Sequence, residues 1–384
     1  MNQHSPRLYY IDWLRVIAFA LLIFFHCAMP FVRFGWEIKN AEHSGFLDHL
    51  IWWMHQWRLP LLFFIAGVGA SFSLKNRSVI AFAGERFVRL FIPLFFAMMF
   101  TTPIQVYFER LQEGRYSGSY AEFYPGVWNF IPYPDGILTW SHLWFVAYLF
   151  VFTLLLLPVF ALFRWKPLQA LKQKTNAFFR SPWTVFAMVL SLTWYYLNLY
   201  IHWPEQGSLV GDWFVFMFSI TLFFYGWWVS DLSAFWETCL HYRWHFLAVA
   251  VVTFGWLMGE FWWNFELPKE EGSRLVAYSV ADSIHIWSLI LAALGFAQRH
   301  LNFSNPLLRY ATPAVYPYYI LHQTVIVATG YYVVQWDLPI VIKLIVLIVI
   351  CFGSVGLIYH FLIKRFMLTR VLYGLKPKEG RSTT

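Results

Sequence analysis

The sequence predicts an all-α, polytopic integral membrane protein of about ten transmembrane helices. Three observations carry that expectation. The 384 residues are 59% hydrophobic and only 12% charged, whereas soluble domains carry about 25% charged residues. Apolar runs long enough to cross a hydrocarbon core recur along almost the whole chain. Aromatic residues make up 22%, with 22 Trp and 22 Tyr, rings that favour the headgroup layers on both sides of a bilayer.

A helix needs roughly 20 mostly apolar residues to cross the hydrocarbon, where no water satisfies its backbone. Ten stretches qualify: 9–32, 49–73, 88–108, 142–163, 183–202, 211–229, 244–263, 276–297, 312–333 and 339–361. Arg7 followed by an apolar run has the look of a signal peptide. However, no small-x-small cleavage site follows, and Asp12 and Arg15 interrupt the run, so a retained first span is expected. An N-in, C-in arrangement leaves 19 Lys and Arg in the inner segments and seven in the outer ones, the bias of inward-facing loops. The formal charge of +8 therefore reports topology and not a nucleic-acid-binding module.

The long external segment 109–141 contains YPGVWNFIPYPDG, a composition of structured turns. The basic stretch 164–182 suits an interfacial helix. Residues 1–370 read as a single transmembrane domain, and 371–384 as a disordered cytoplasmic tail. Cys27 and Cys351 lie in apolar runs and Cys239 in an expected cytoplasmic loop, which gives no disulfide framework.

Ionisable side chains within spans are expensive and point to function. Asp12, Arg15 and His26 share the first span. Eleven helical steps return to within about 20° of three full turns, so Arg15 and His26 fall on one face, separated by roughly 16 Å along the axis. Asp12 and Arg15 also have the spacing of a stabilising ion pair, and an intramembrane His can simply hydrogen-bond a neighbour. Arg86 and Arg89, three residues apart at the inner mouth of the third span, suit phosphate or plain positive-inside anchoring.

His142, His322 and Arg58 are further candidates for contact with an acceptor or for support of the site; each also has an ordinary packing or snorkelling role open to it. Asp282 and His285 share a helical face and are spaced to pair. His241 and His245 have an i, i+4 spacing, but HYRWH lacks the intervening Glu and a third ligand, so no metal is assigned. GVGASF in the second span reads as close helix packing.

Asp12, Arg15 and His26, PLLFFIAGVGASF (60–72) with the following Arg86-x-x-Arg89, SHLWFVAYLF (141–150) and YPYYILHQT (316–324) together resemble the acyltransferase 3 family. Within that family they are especially similar to the polyglucan succinyltransferase branch. The resemblance implies a membrane O-acyltransferase, with no bound cofactor. It would move an acyl group, acetyl or succinyl, from cytoplasmic acyl-CoA as cosubstrate to a hydroxyl of an extracytoplasmic glycan. It also implies that His26 is the catalytic histidine, Arg15 its paired arginine, and Arg86 with Arg89 the donor-side pair. An appended extracytoplasmic hydrolase-like domain is not expected, so the chain would act alone or with a separate partner.

Acyl transfer from a thioester to an alcohol needs a base near neutrality, which His supplies. Direct transfer with His26 as base and an acyl-His intermediate both remain open. So do two rival functions, a secondary transporter with an intramembrane proton relay and a non-catalytic partner of a glycan-modifying assembly. The expected partners are acyl-CoA, a glycan or other hydroxyl acceptor and the lipid bilayer; homo-oligomerisation stays open.

Overall fold

In the computed structural model, residues 8–75 and 77–376 are described; Arg7 and residues 377–384 of the expected tail lie outside them. All ten predicted stretches are helical. The principal helices are α1 (Tyr9–Ala28), α2 (Gly45–Lys75), α3 (Val79–Gln112), α4 (Ser141–Leu155), α5 (Val189–Leu199), α6 (Trp213–Val229), α7 (Ser233–His241), α8 (Arg243–Trp262), α9 (Ser273–His300), α10 (Pro306–Val333) and α11 (Ile340–Ile363).

Among the described residues, six helices are long and apolar enough to cross a membrane: α1 with its 3₁₀ extension to Phe31, α2, α3, α8, α9 and α11. The pair α6 and α7, bent by 104°, raises the number to seven. The remaining predicted spans differ for physical reasons. Stretch 183–202 is broken into Pro182–Val185, a 3₁₀ turn and the short α5. Helix α4 ends at Leu155, and Leu157–Leu162 follows with Pro158 in its first turn. Helix α10 is 28 residues long, about 42 Å at 1.5 Å per residue, but polar side chains such as His322, Gln323 and Thr324 dilute its hydropathy. Cys239, expected in a loop, is buried in α7, and all three cysteines are free.

The chain divides into two compact units. The first comprises Met1–Ala18, Trp52–Ala83 and Val151–Thr312. In it, α2 and α6 approach until their backbones touch. A Cβ on Gly67 would collide with the Phe223 carbonyl, and one on Gly226 with the Phe64 carbonyl, so Gly67 carries the close packing expected of GVGASF. Gly69 faces open space and does not. Lys172, in the helix Lys166–Lys174, is buried against the Trp227 ring and pairs with Asp231 at 2.5 Å.

The second unit comprises Phe19–Ile51, Gly84–Phe150 and Pro313–Thr384. Segment 109–141 is ordered here, with a capping box at Ser119 and Glu122 and a 3₁₀ turn over Tyr124–Asn129. Phe123, Val127 and Ile137 pack onto Met99 and Val106 of α3. The loop after α1 is tied down by buried charges. Asp48 accepts from the Arg33 backbone N–H at 2.7 Å and pairs with His43 at 2.9 Å. The Lys39 ammonium caps the carbonyls of Met29, Val32 and Phe34, the orphan acceptors that a helix end leaves.

Candidate active site

Within the second unit, three histidines from α1, α4 and α10 meet. Ring centroids lie 4.9 Å apart for His26 and His322, 5.0 Å for His142 and His322, and 6.4 Å for His26 and His142. His322 and His142 are buried, and His26 is half-buried. The separation along the sequence is nearly 300 residues, so no local pattern announces this grouping.

Hydrogen bonding fixes the tautomers. His322 Nδ1 stands 2.7 Å from the Tyr319 carbonyl, which can only accept, so Nδ1 carries the proton. Neutral His322 then offers the lone pair of Nε2, 2.8 Å from His26 Nδ1. His26 therefore donates through Nδ1, and its basic lone pair falls on Nε2. His142 donates from Nε2 to the same Tyr319 carbonyl at 3.1 Å, while the Tyr319 hydroxyl donates back to the His142 carbonyl. These bonds hold the His26 ring in one orientation.

A polar corner continues from His142. Its Nδ1 lies 3.5 Å from the Gln105 amide nitrogen, which also donates to Thr324 Oγ1 at 2.7 Å. Ser141 donates to Gln105 Oε1 at 2.8 Å, and Gln323 to Glu37 Oε1 at 2.6 Å. Ser141 has φ 43°, a left-handed conformation that costs a non-glycine residue about 1–3 kcal/mol and clusters at functional sites. Burial pushes the Glu37 carboxyl up to about 7 and the Glu109 charge adds to the rise, against hydrogen bonds from its own backbone, Gln323 and Ser141. Trp36, the residue before Glu37, lies parallel to the His26 ring, centroids 6.5 Å apart.

The other predicted residues distribute differently. Arg15 falls in the first unit, where its guanidinium pairs with Asp12 at 3.1 Å. Arg58, also in that unit, is buried. There the exposed Glu205 pairs with His55 at 2.9 Å, and the His55 and Arg58 charges hold its carboxyl below the usual range. Asp282 and His285 do not pair: Asp282 accepts from the Tyr196 hydroxyl, and His285 lies 3.0 Å from the Ala250 carbonyl and accepts from Trp53 at 3.2 Å.

Arg86 and Arg89 both belong to the second unit, but a π-helical turn over Phe87–Phe91 intervenes. Its i→i+5 register shifts the one-face relationship expected from a three-residue spacing. Arg89 donates to Glu85 at 3.3 Å and to the Gly374 carbonyl at 3.2 Å. Gly374 has φ 72°, and a Cβ there would strike the Tyr316 ring, so glycine is required where the chain meets Arg89.

Glu37, Gln105 and Ser141 were not among the residues singled out from sequence. The only signals were an acid just past the first span and a Gln inside the third, each common by itself. Among the described residues, no three His, Cys, Asp or Glu side chains stand together in a metal-binding arrangement.

The chain is 21% identical to glucans biosynthesis protein C of Salmonella typhimurium over 99% of its own length and 98% of the relative's. It is 22% identical to the protein of that name from Escherichia coli O139:H28, over 86% and 84%. No solved structure matches it significantly. The family profile described as an acyltransferase domain matches residues 8–362, and the chain therefore belongs to the acyltransferase 3 family of membrane acyltransferases.

Proposed function

We propose that the protein transfers an acyl group, succinyl or acetyl, from cytoplasmic acyl-CoA to a hydroxyl of an extracytoplasmic glycan, with His26 as general base. The hydrogen-bonded series His26, His322, Tyr319 carbonyl carries this reading, because it aims a basic Nε2 and holds it there. The acceptor hydroxyl gives its proton to His26 Nε2, and its oxygen attacks the thioester carbonyl. The C–O bond forms, the C–S bond breaks, and the imidazolium returns the proton to the departing thiolate. As His26 becomes cationic, its hydrogen bond to His322 becomes charge-assisted and strengthens, which favours the charged intermediate over the resting state.

A relay that ends on a backbone carbonyl orients a base but has nowhere to pass a proton. That favours catalysis over transport. In this reading Arg86 and Arg89 hold donor phosphates, Arg15, with Asp12 setting its position, orients the thioester donor, and Arg58 receives an anionic part of a substrate. The relatives' name, glucans biosynthesis protein C, supports a glucan-type acceptor. The ten helical stretches and the Lys/Arg asymmetry of 19 to seven support a bacterial inner-membrane protein with both termini in the cytoplasm. Mass spectrometry of cell-envelope glycans with and without the gene tests the proposal. A succinyl or acetyl mass lost on deletion and regained on complementation is expected; identical glycan masses in both strains contradict it.

A further inference from the structure

The corner around Glu37 has more hydrogen-bond acceptors than donors. Gln323 donates to Glu37 Oε1 at 2.6 Å and reaches Ser141 Oγ at 3.2 Å. The Ser141 proton is directed to Gln105 Oε1 at 2.8 Å, with Glu37 Oε1 more distant at 3.3 Å. The Gln105 amide is committed to Thr324 and His142. Glu37 Oε2 and Gln323 Oε1 are both sealed from solvent, and among the described residues neither accepts a hydrogen bond. An acceptor buried without a donor is costly, more so when charged, so native structures rarely leave two on one bonded pair without a use for them.

We propose that Glu37 and Gln323 form the acceptor subsite, taking hydrogen bonds from hydroxyl groups of a polyol, the sugar ring that carries the hydroxyl to be acylated. The assignment rests on the acyl-transfer reading above and names the residues that would hold its second substrate. Two orphan oxygens side by side suit a ligand that donates, and a polyol donates from neighbouring carbons. A phosphate or carboxylate has no donor to offer these oxygens. A cation would call for several carboxylates, whereas the other partners here are neutral amides and hydroxyls. Trp36, next in the chain and half-buried, adds an apolar ring face beside His26. The Lys39 and Asp48 contacts hold the loop that presents Glu37.

The full chain in lipid nanodiscs, without acyl donor, is titrated with a gluco-trisaccharide by calorimetry. Glu37→Gln replaces one acceptor oxygen with a donor, and Gln323→Met removes the other at similar length. Each should weaken binding by about tenfold or more, the size of one hydrogen bond to a charged or buried group, in protein that still elutes as a single species. Unchanged binding in both variants overturns the subsite, and failure of the wild type to bind the trisaccharide overturns the polyol assignment. If both variants lose binding while the wild type transfers no acyl group to the same sugar, the subsite stands and the acyl-transfer reading falls.

Discussion

At the scale of single residues, the central relation is between two histidines that the chain brings together from positions 26 and 322. His322 touches no substrate in this account; it is a positioning residue that accepts the His26 Nδ1 proton. Replacing it with Leu should lower kcat by about 10- to 100-fold, the worth of a hydrogen bond to a charged group, and leave donor KM unchanged. His322→Gln keeps an acceptor and should recover much of that loss. Equal loss in both variants would mean that His322 acts through packing alone. Glu37 gives a prediction about pH. Its folded carboxyl titrates at about 7, above the ordinary 4.5, so the folded state holds the proton more tightly than the unfolded one. That stabilisation is full below about 4.5 and disappears as pH rises through 7. Wild-type protein should therefore melt at lower temperature at pH 8 than at pH 5, and Glu37→Gln should narrow the gap; the same gap in both proteins contradicts the assignment. His26 was legible because a face shared with Arg15 and a family pattern both singled it out. Glu37 was not, since its chemistry comes from side chains about 100 to 290 residues away in sequence and from burial, neither of which leaves a local periodicity.

At the scale of elements, hydropathy located the helices well because lipid demands continuous backbone hydrogen bonding wherever the chain is apolar. It says least where proline or polar side chains interrupt the apolar run. Helix α10 carries Pro313 and Pro317 and the polar sequence around His322, so it is helical without passing as apolar. Periodicity also misjudged the neighbourhood of Arg86 and Arg89, because a π turn leaves no sequence signal of its own. Close packing gives an element-level prediction. Gly67→Val should destabilise the protein by about 1–3 kcal/mol, the usual penalty of overpacking, by forcing α2 off α6. Gly69→Ala, which meets no atom within 4 Å, should leave thermal unfolding unchanged and serves as its control. Equal effects would place the close approach elsewhere.

At the scale of the whole molecule, the sequence supplied class, family and a charge asymmetry, all summed over many residues and so tolerant of errors at any one. Topology follows from that sum: reporter fusions at both ends should be active only in the cytoplasm, and a C-terminus active only outside would require an odd number of crossings. What no sum over the chain provides is which side chains face one another, and the functional account rests there. Its most direct test is transfer from radiolabelled succinyl-CoA or acetyl-CoA to a gluco-oligosaccharide by purified protein in lipid, comparing wild type with His26→Ala and His26→Gln. With His26 as base, both variants should lose at least about 10²–10⁴ in rate while donor binding persists. Near-normal turnover by His26→Gln, which hydrogen-bonds but does not take up a proton, would contradict the account.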